Sequence, residues 1–213
     1  MFGIHDLALF VASGLLLNIA PGPDSLLVMT RGASQGWRAG SAAALGIGAG
    51  TIVHVLAAAL GLSALLAASG AAFAVLRYAG AAYLVFIGIA MLRGGGQGGA
   101  APEAPAPSRR LSHRRIFVQG FLSNVLNPKV AIFFLAFVPQ FIDPQAPDKA
   151  LAFMLLGGIF SLGGVLWCHV LAVAAALAGR RVRAGATVLR WLNRLTGALF
   201  VALGVRLAWA GRG

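Results

Sequence analysis

Two stretches of this chain place charged side chains where its surroundings are otherwise apolar. "NIAPGPDSLL" runs from Asn18 to Leu27, and "GFLSNVLNPK" runs from Gly120 to Lys129. Each carries an asparagine, then a proline-bearing break, then a charge: Asp24 in the first and Lys129 in the second. Proline has no N–H and clashes with the carbonyl four residues back. Pro21 therefore frees the carbonyl of Leu17, Pro23 that of Ile19, and Pro128 that of Asn124. Gly22 has no Cβ, which permits an unusual backbone angle and a close approach by another group. An unsatisfied backbone group in hydrocarbon costs several kcal/mol, so such breaks persist only against protein or a wet cavity. A charge at the bilayer centre costs at least ~2.5–3.5 kcal/mol on insertion scales. Both charges follow their breaks on the first residues of a resumed helix, whose N-terminus favours a carboxylate, its own or a ligand's. Asp24 at that depth is one reading; Asp24 near the cytoplasmic surface, at small cost, is another. Lys129 lies well inside its apolar window, though a lysine can also snorkel. Asn18, Asn124 and Asn127 flank the breaks, and an amide can patch a freed carbonyl, hold a zwitterionic ligand, or do both. The chemistry on offer is recognition of paired charges in one polar cavity shared by two breaks.

The histidines extend this set. "HVLA" occurs twice, at His54–Ala57 and His169–Ala172. Histidine titrates near neutral pH and suits a proton relay; the plainer role is a buried hydrogen-bonder. Asp24, His54 and His169 are the candidates for proton coupling. Cys168 adjoins His169, but neighbouring helical residues point about 100° apart and do not face each other. No HExxH pattern, Cys-rich cluster or nucleophile–base pair is present, which argues against an enzyme. No metal and no cofactor is expected.

The elements that must position these residues are apolar helices. The apolar fraction is 59% and only 10% of residues are charged, with a mean hydropathy of +0.86. A helix needs roughly 20 apolar residues to span a bilayer. Six windows meet that length, at about residues 7–29, 41–66, 70–92, 116–138, 150–178 and 188–209. The expected fold is an all-α integral membrane protein. The runs are unbroken, unlike the alternating ~10-residue strands of a barrel. The first run is preceded by no Lys or Arg, so it reads as a retained helix rather than a signal peptide. The net charge of +12 does not require nucleic acid. Twelve of the 17 basic residues fall in the first, third and fifth connections. Under the positive-inside rule those connections are cytoplasmic and both termini lie outside. Membrane lipids, anionic ones included, are the partners these arginines suit. Trp37, Trp191 and Trp209 fall near helix ends, as interface anchors do.

Residues 94–108 are a Gly/Pro-rich stretch without periodicity, and the expected division is a first repeat 1–93, a flexible cytoplasmic linker 94–115 and a second repeat 116–213. Gly14 and Asn18 align with Gly120 and Asn124, the two HVLA stretches follow, and "RYAGAAYLV" from Arg77 resembles "RLTGALFV" from Arg194. Three helices is an odd number, so the second half enters from the opposite face. Two inverted three-helix repeats place a site near the midplane, at discontinuous helices. The small-residue stretch "GIGAG" (Gly46–Gly50) can pack helices within one chain or between two, leaving a homodimer open.

The motifs "NIAPGP" (Asn18–Pro23) and "GFLSNVLNPK" (Gly120–Lys129) resemble the signatures of the LysE/RhtB family of amino-acid exporters. "GAAYLVFIGIAMLR" from Gly80 and "FFLAFVPQF" from Phe133 resemble it as well. The resemblance implies bacterial inner-membrane export of an amino acid or derivative, driven by the proton motive force. It carries onto Asn18, Pro21, Gly22, Pro23, Asn127, Pro128 and Lys129. The substrate carboxylate would then face Lys129 and freed N–H groups, and its ammonium Asp24, the asparagines and freed carbonyls. A passive channel or a non-transporting membrane subunit is the alternative.

Overall fold

The computed structural model describes residues 2–62, 70–93, 110–143, 145–178 and 186–209. Residues 94–109 of the expected linker, with Arg180, Arg181, Arg183 and Arg212, lie outside the described residues.

The described chain is helical. Helix α1 (Leu7–Ile19) ends at Ala20, and α2 (Pro23–Gln35) resumes after Gly22 at an angle of 53°. Pro23 is the first residue of α2, where a missing N–H and a fixed φ cost nothing. Gly36 alone separates α2 from α3 (Trp37–Ala57), which widens into a π turn at Ala58–Leu62. Its φ of +89° and ψ of 170° lie in a region essentially confined to glycine. Arg31 and Arg38 were expected in a connection; both lie in helices, because α2 runs on to Gln35 and the link is one residue long. Then follow α4 (Gly70–Leu92), α5 (His113–Val125) and α6 (Pro128–Ile132). Past α6 the chain continues through a π turn (Phe133–Phe137) and a 3-10 turn (Val138–Phe141), at 48° to α5. Helices α7 (Lys149–Ala178) and α8 (Ala186–Trp209) complete the fold. Trp37 and Trp209 stand exposed at helix ends.

By length and apolarity α3 with its extension (Trp37–Gly61) and α7 are membrane-spanning candidates, and each bent pair passes the same test taken together. The outward-facing surface is apolar: Leu60, Phe86, Leu162 and Leu177 are all more than 60% exposed. An apolar exterior of that extent suits lipid rather than water.

Helix α3 packs against α2, α5 and α7, and α4 packs against α8. Small residues set the α3–α5 crossing. A Cβ on Gly50 would lie 2.8 Å from the Phe121 carbonyl oxygen, and one on Gly46 would strike that of Phe117. The GIGAG face is therefore filled within the chain. Two apolar clusters flank a polar middle layer. One is aromatic, built from Phe10, Phe133, Phe134, Phe137, Phe141 and Phe160, with Phe133 and Phe160 stacked at 4.6 Å. The N-terminal segment is pinned to it, His5 N–H donating to the Phe141 carbonyl at 3.0 Å and Asp143 N–H to that of Gly3 at 2.8 Å. The other cluster joins Val28, Ala43, Ile47, Ile116, Cys168 and Ala172.

Candidate functional site

The two helix breaks meet in the polar layer, and each docks its charge on the other. Asp24 sits in the first turn of α2. Its Oδ1 accepts from Ser123 Oγ at 2.7 Å, and its Oδ2 from Asn124 Nδ2 at 2.8 Å and Asn127 Nδ2 at 3.1 Å. All three donors belong to the second break. In return Lys129 Nζ reaches the first break, donating to the carbonyls of Leu17 at 3.2 Å and Ala20 at 3.4 Å. The ion pairs among the described residues join Asp6 to His5 and to Arg206; none links Asp24 directly to Lys129. Two opposite charges thus share one site, each solvated by fixed dipoles rather than by the other.

The carbonyls freed by Pro21 and Pro128 have partners where those prolines create them. Leu17 is served by Lys129. Asn124 receives His54 Nε2 at 3.0 Å and the Asn127 N–H at 2.9 Å. Asn127 Oδ1 accepts the Lys129 N–H at 3.0 Å, capping α6. That bond fixes the orientation of the amide: with the oxygen on the backbone, the NH2 faces Asp24. Thr51 Oγ1 lies 3.3 Å from Asn124 Oδ1 and 3.1 Å from the Ile47 carbonyl, so its one proton is shared between two acceptors. Asn124 and Asn127 are buried, at 2% and 5% exposure. Asn18, the counterpart of Asn124, turns the other way, donating to the Phe160 carbonyl on α7 at 3.2 Å. Gly22 is extended, at φ −159°, so its backbone freedom is not used. What matters is the missing side chain: a Cβ there would lie 3.4 Å from Lys129 Nζ.

These groups line a cavity of about 40 Å³ between α1, α2, α3, α5, α6 and α7. At ~10–15 Å³ for each water, it holds a few solvent molecules. Pro21, Pro23 and Pro128 shape its wall by ending the helices, while Leu17, Asn18, Asp24, Asn124, Asn127 and Lys129 line it. The histidines stand apart. His54 stacks near-parallel to Phe134 with centroids 6.4 Å apart, on the far side of Asn124. His169 Nδ1 bonds the Val165 carbonyl of its own helix at 2.8 Å. Neither ring lines the cavity; Cys168 does. Sequence reasoning passed over Ser123, Thr51 and Phe160, and it weighed Cys168 only as a neighbour of His169. Ser123 stands inside the quoted second motif. Thr51 is three residues before His54 and so shares its helix face. Phe160 carries no such signal. Among the described residues no group of three or more His, Cys, Asp or Glu side chains is placed to hold a metal ion.

A family model described as LysE type translocator matches residues 15–211. An uncharacterized membrane protein of Pseudomonas aeruginosa is 37% identical over 215 residues, covering 98% of this chain and 97% of the relative. A homoserine/homoserine lactone efflux protein of Salmonella typhi is 35% identical over 204 residues, covering 94% and 95%. An uncharacterized membrane protein of Vibrio cholerae is 32% identical over 209 residues, covering 97% and 98%. No solved structure is a significant match.

Proposed function

The chain belongs to the LysE type translocator family, a family of transporters rather than enzymes, and from that premise we propose that it exports a small amino acid or derivative. Homoserine and its lactone are the first compounds to test, because relatives bear those names. The observation that carries this reading is the reciprocal docking of Asp24 and Lys129 across two proline breaks in one cavity. A site that already solvates one carboxylate and one ammonium is matched to a ligand bearing both. The substrate ammonium docks on the carbonyls of the first break beside Asp24; its carboxylate meets the N–H donors of the second.

The cavity of about 40 Å³ is far below the roughly 300–1,000 Å³ of ordinary ligand pockets. Substrate therefore enters when one flank opens. The aromatic cluster of Phe10, Phe133 and Phe141 closes one side. On the other, Arg31 donates to Gln119 at 2.9 Å and Leu111 N–H to Gln35 at 2.9 Å, over the Val28–Ile116 cluster. Alternate opening of these flanks is the transport cycle, driven by proton exchange. Six spans in two inverted repeats, in the bacterial inner membrane with both termini periplasmic, give the matching topology. The paired bends of 53° and 48° support it, as does the crossed bonding of Asn18 to α7 and Asn124 to α3.

Efflux of radiolabelled homoserine from loaded cells tests the proposal. Expression should speed efflux several-fold, and a collapsed proton gradient should abolish export against a concentration gradient. Export unchanged by expression, for homoserine, its lactone and a panel of amino acids, overturns it. Flux that is only downhill and indifferent to the gradient assigns a passive channel instead.

A further inference from the structure

We infer that Lys129 is the proton-exchanging group of the transporter, and that the carbonyls of Leu17 and Ala20 form a cradle its ammonium shares with the ammonium of the substrate. The inference deepens the export reading and rests on it.

Three titratable side chains line the cavity: Asp24 from α2, Lys129 from α6 and Cys168 from α7. Helix α1 contributes Asn18, and α3 presents Thr51 there, with His54 turned to the Asn124 carbonyl. Around Asp24, Oδ1 meets the Ser123 hydroxyl, and Oδ2 meets no acceptor for a proton. The latter faces two amide NH2 groups, which donate and do not accept. A proton on that oxygen would point at two donors, and the Asn127 amide is held in this sense by the bond at its own oxygen. The histidines are engaged outside the cavity by backbone carbonyls.

Lys129 has the opposite setting. Its ammonium leans on two neutral carbonyls of the other half of the chain, at 3.2 and 3.4 Å, with no carboxylate in direct contact. The Leu17 carbonyl is the one Pro21 frees and the Ala20 carbonyl belongs to the turn between α1 and α2, and both suit any primary ammonium. The cradle has room for one. A substrate ammonium entering it displaces Lys129, which gives its proton to the water of the open flank and withdraws as the neutral amine. On the opposite side a proton returns to the amine, the ammonium reoccupies the cradle, and the substrate leaves. Competition for one cradle makes the exchange obligatory. With a zwitterionic substrate the loaded carrier carries one negative charge more than the protonated carrier. An inside-negative membrane potential therefore drives the loaded form outward.

The test is isothermal titration of purified full-length protein with homoserine, in two buffers of different ionisation enthalpy, so that protons released per substrate are counted. Wild type should release about one. Lys129→Gln removes the charge and should bind homoserine with release near zero. Lys129→Arg keeps a charge that does not dissociate, holds the cradle and should bind at least tenfold more weakly, so an arginine variant that binds as tightly as wild type overturns the assignment. His169→Gln should still release about one. Wild-type release near zero, or release unchanged in the Lys129 variants, overturns the assignment. So does loss of release in His169→Gln alone. If Lys129→Gln stays monodisperse and fails to bind, Lys129 is a direct substrate contact and the carrier role is wrong. If wild type binds none of the compounds, the export reading itself fails.

Discussion

Replacing Asn127 with alanine should unlock the site more than its single side chain suggests. Asn127 makes two bonds at once. Its Nδ2 donates to Asp24 at 3.1 Å, and its Oδ1 caps the helix carrying Lys129 at 3.0 Å. A hydrogen bond to a charged group contributes about 1.5–3 kcal/mol. Loss of a helix cap costs about 0.5–2 kcal/mol. At 5% exposure, water has little access to replace either partner. The sum is a destabilisation of roughly 2–5 kcal/mol. Two further variants separate the parts. Asn127→Ser keeps a capping oxygen and should lose the Asp24 bond, about 1.5–3 kcal/mol. Asn127→Asp keeps the cap but turns a carboxylate toward Asp24, and should be worse than alanine at neutral pH. Unfolding in mixed micelles by SDS titration measures each. A double-mutant cycle with Asp24→Asn should give a coupling energy of at least ~0.5 kcal/mol, the lower end for bonded neighbours. Stability of Asn127→Ala within ~0.5 kcal/mol of wild type, the range of neutral surface changes, would refute the reasoning.

Other consequences are independent of that network. Gly36→Ala adds a Cβ that meets nothing within 4 Å, yet φ is +89°. The cost is therefore conformational, about 1–3 kcal/mol, read as a lower unfolding midpoint. Gly50→Ala places a Cβ 2.8 Å from the Phe121 carbonyl oxygen and 2.9 Å from Asn124 Cβ. The α3–α5 crossing must widen, at about 1–3 kcal/mol, and homoserine affinity should fall with stability. His54→Phe removes the donor to the Asn124 carbonyl, which retains the Asn127 N–H. About 1 kcal/mol should be lost, with the proton count of substrate binding unchanged.

The breaks were legible because proline and glycine act locally. "APGP" and "NP" fix where the backbone must open, and the carbonyls of Leu17 and Asn124 follow by counting four residues back. The helices were legible from hydrophobic length: the window 70–92 and the helix Gly70–Leu92 coincide. Partners were not. That Lys129 and Asn127, both of the second break, serve groups of the first depends on a crossing geometry set by Gly46, Gly50 and Gly120, over more than 100 residues of separation. His54 illustrates the ambiguity. Its type suggested proton transfer, and its place beside a freed carbonyl gives it a backbone to hold. Phe160 offers its carbonyl to Asn18, a role no side chain announces.

Cysteine cross-linking between the two breaks tests the central claim most directly. In a Cys168→Ala background, Gly22→Cys and Lys129→Cys are combined and treated in membranes with a short bifunctional thiol reagent. An intramolecular cross-link is expected between positions 22 and 129, as efficient as that of a control pair, Arg31→Cys with Gln119→Cys, where the native side chains are bonded at 2.9 Å. Efficient linkage of the control pair with none between 22 and 129 would contradict the claim.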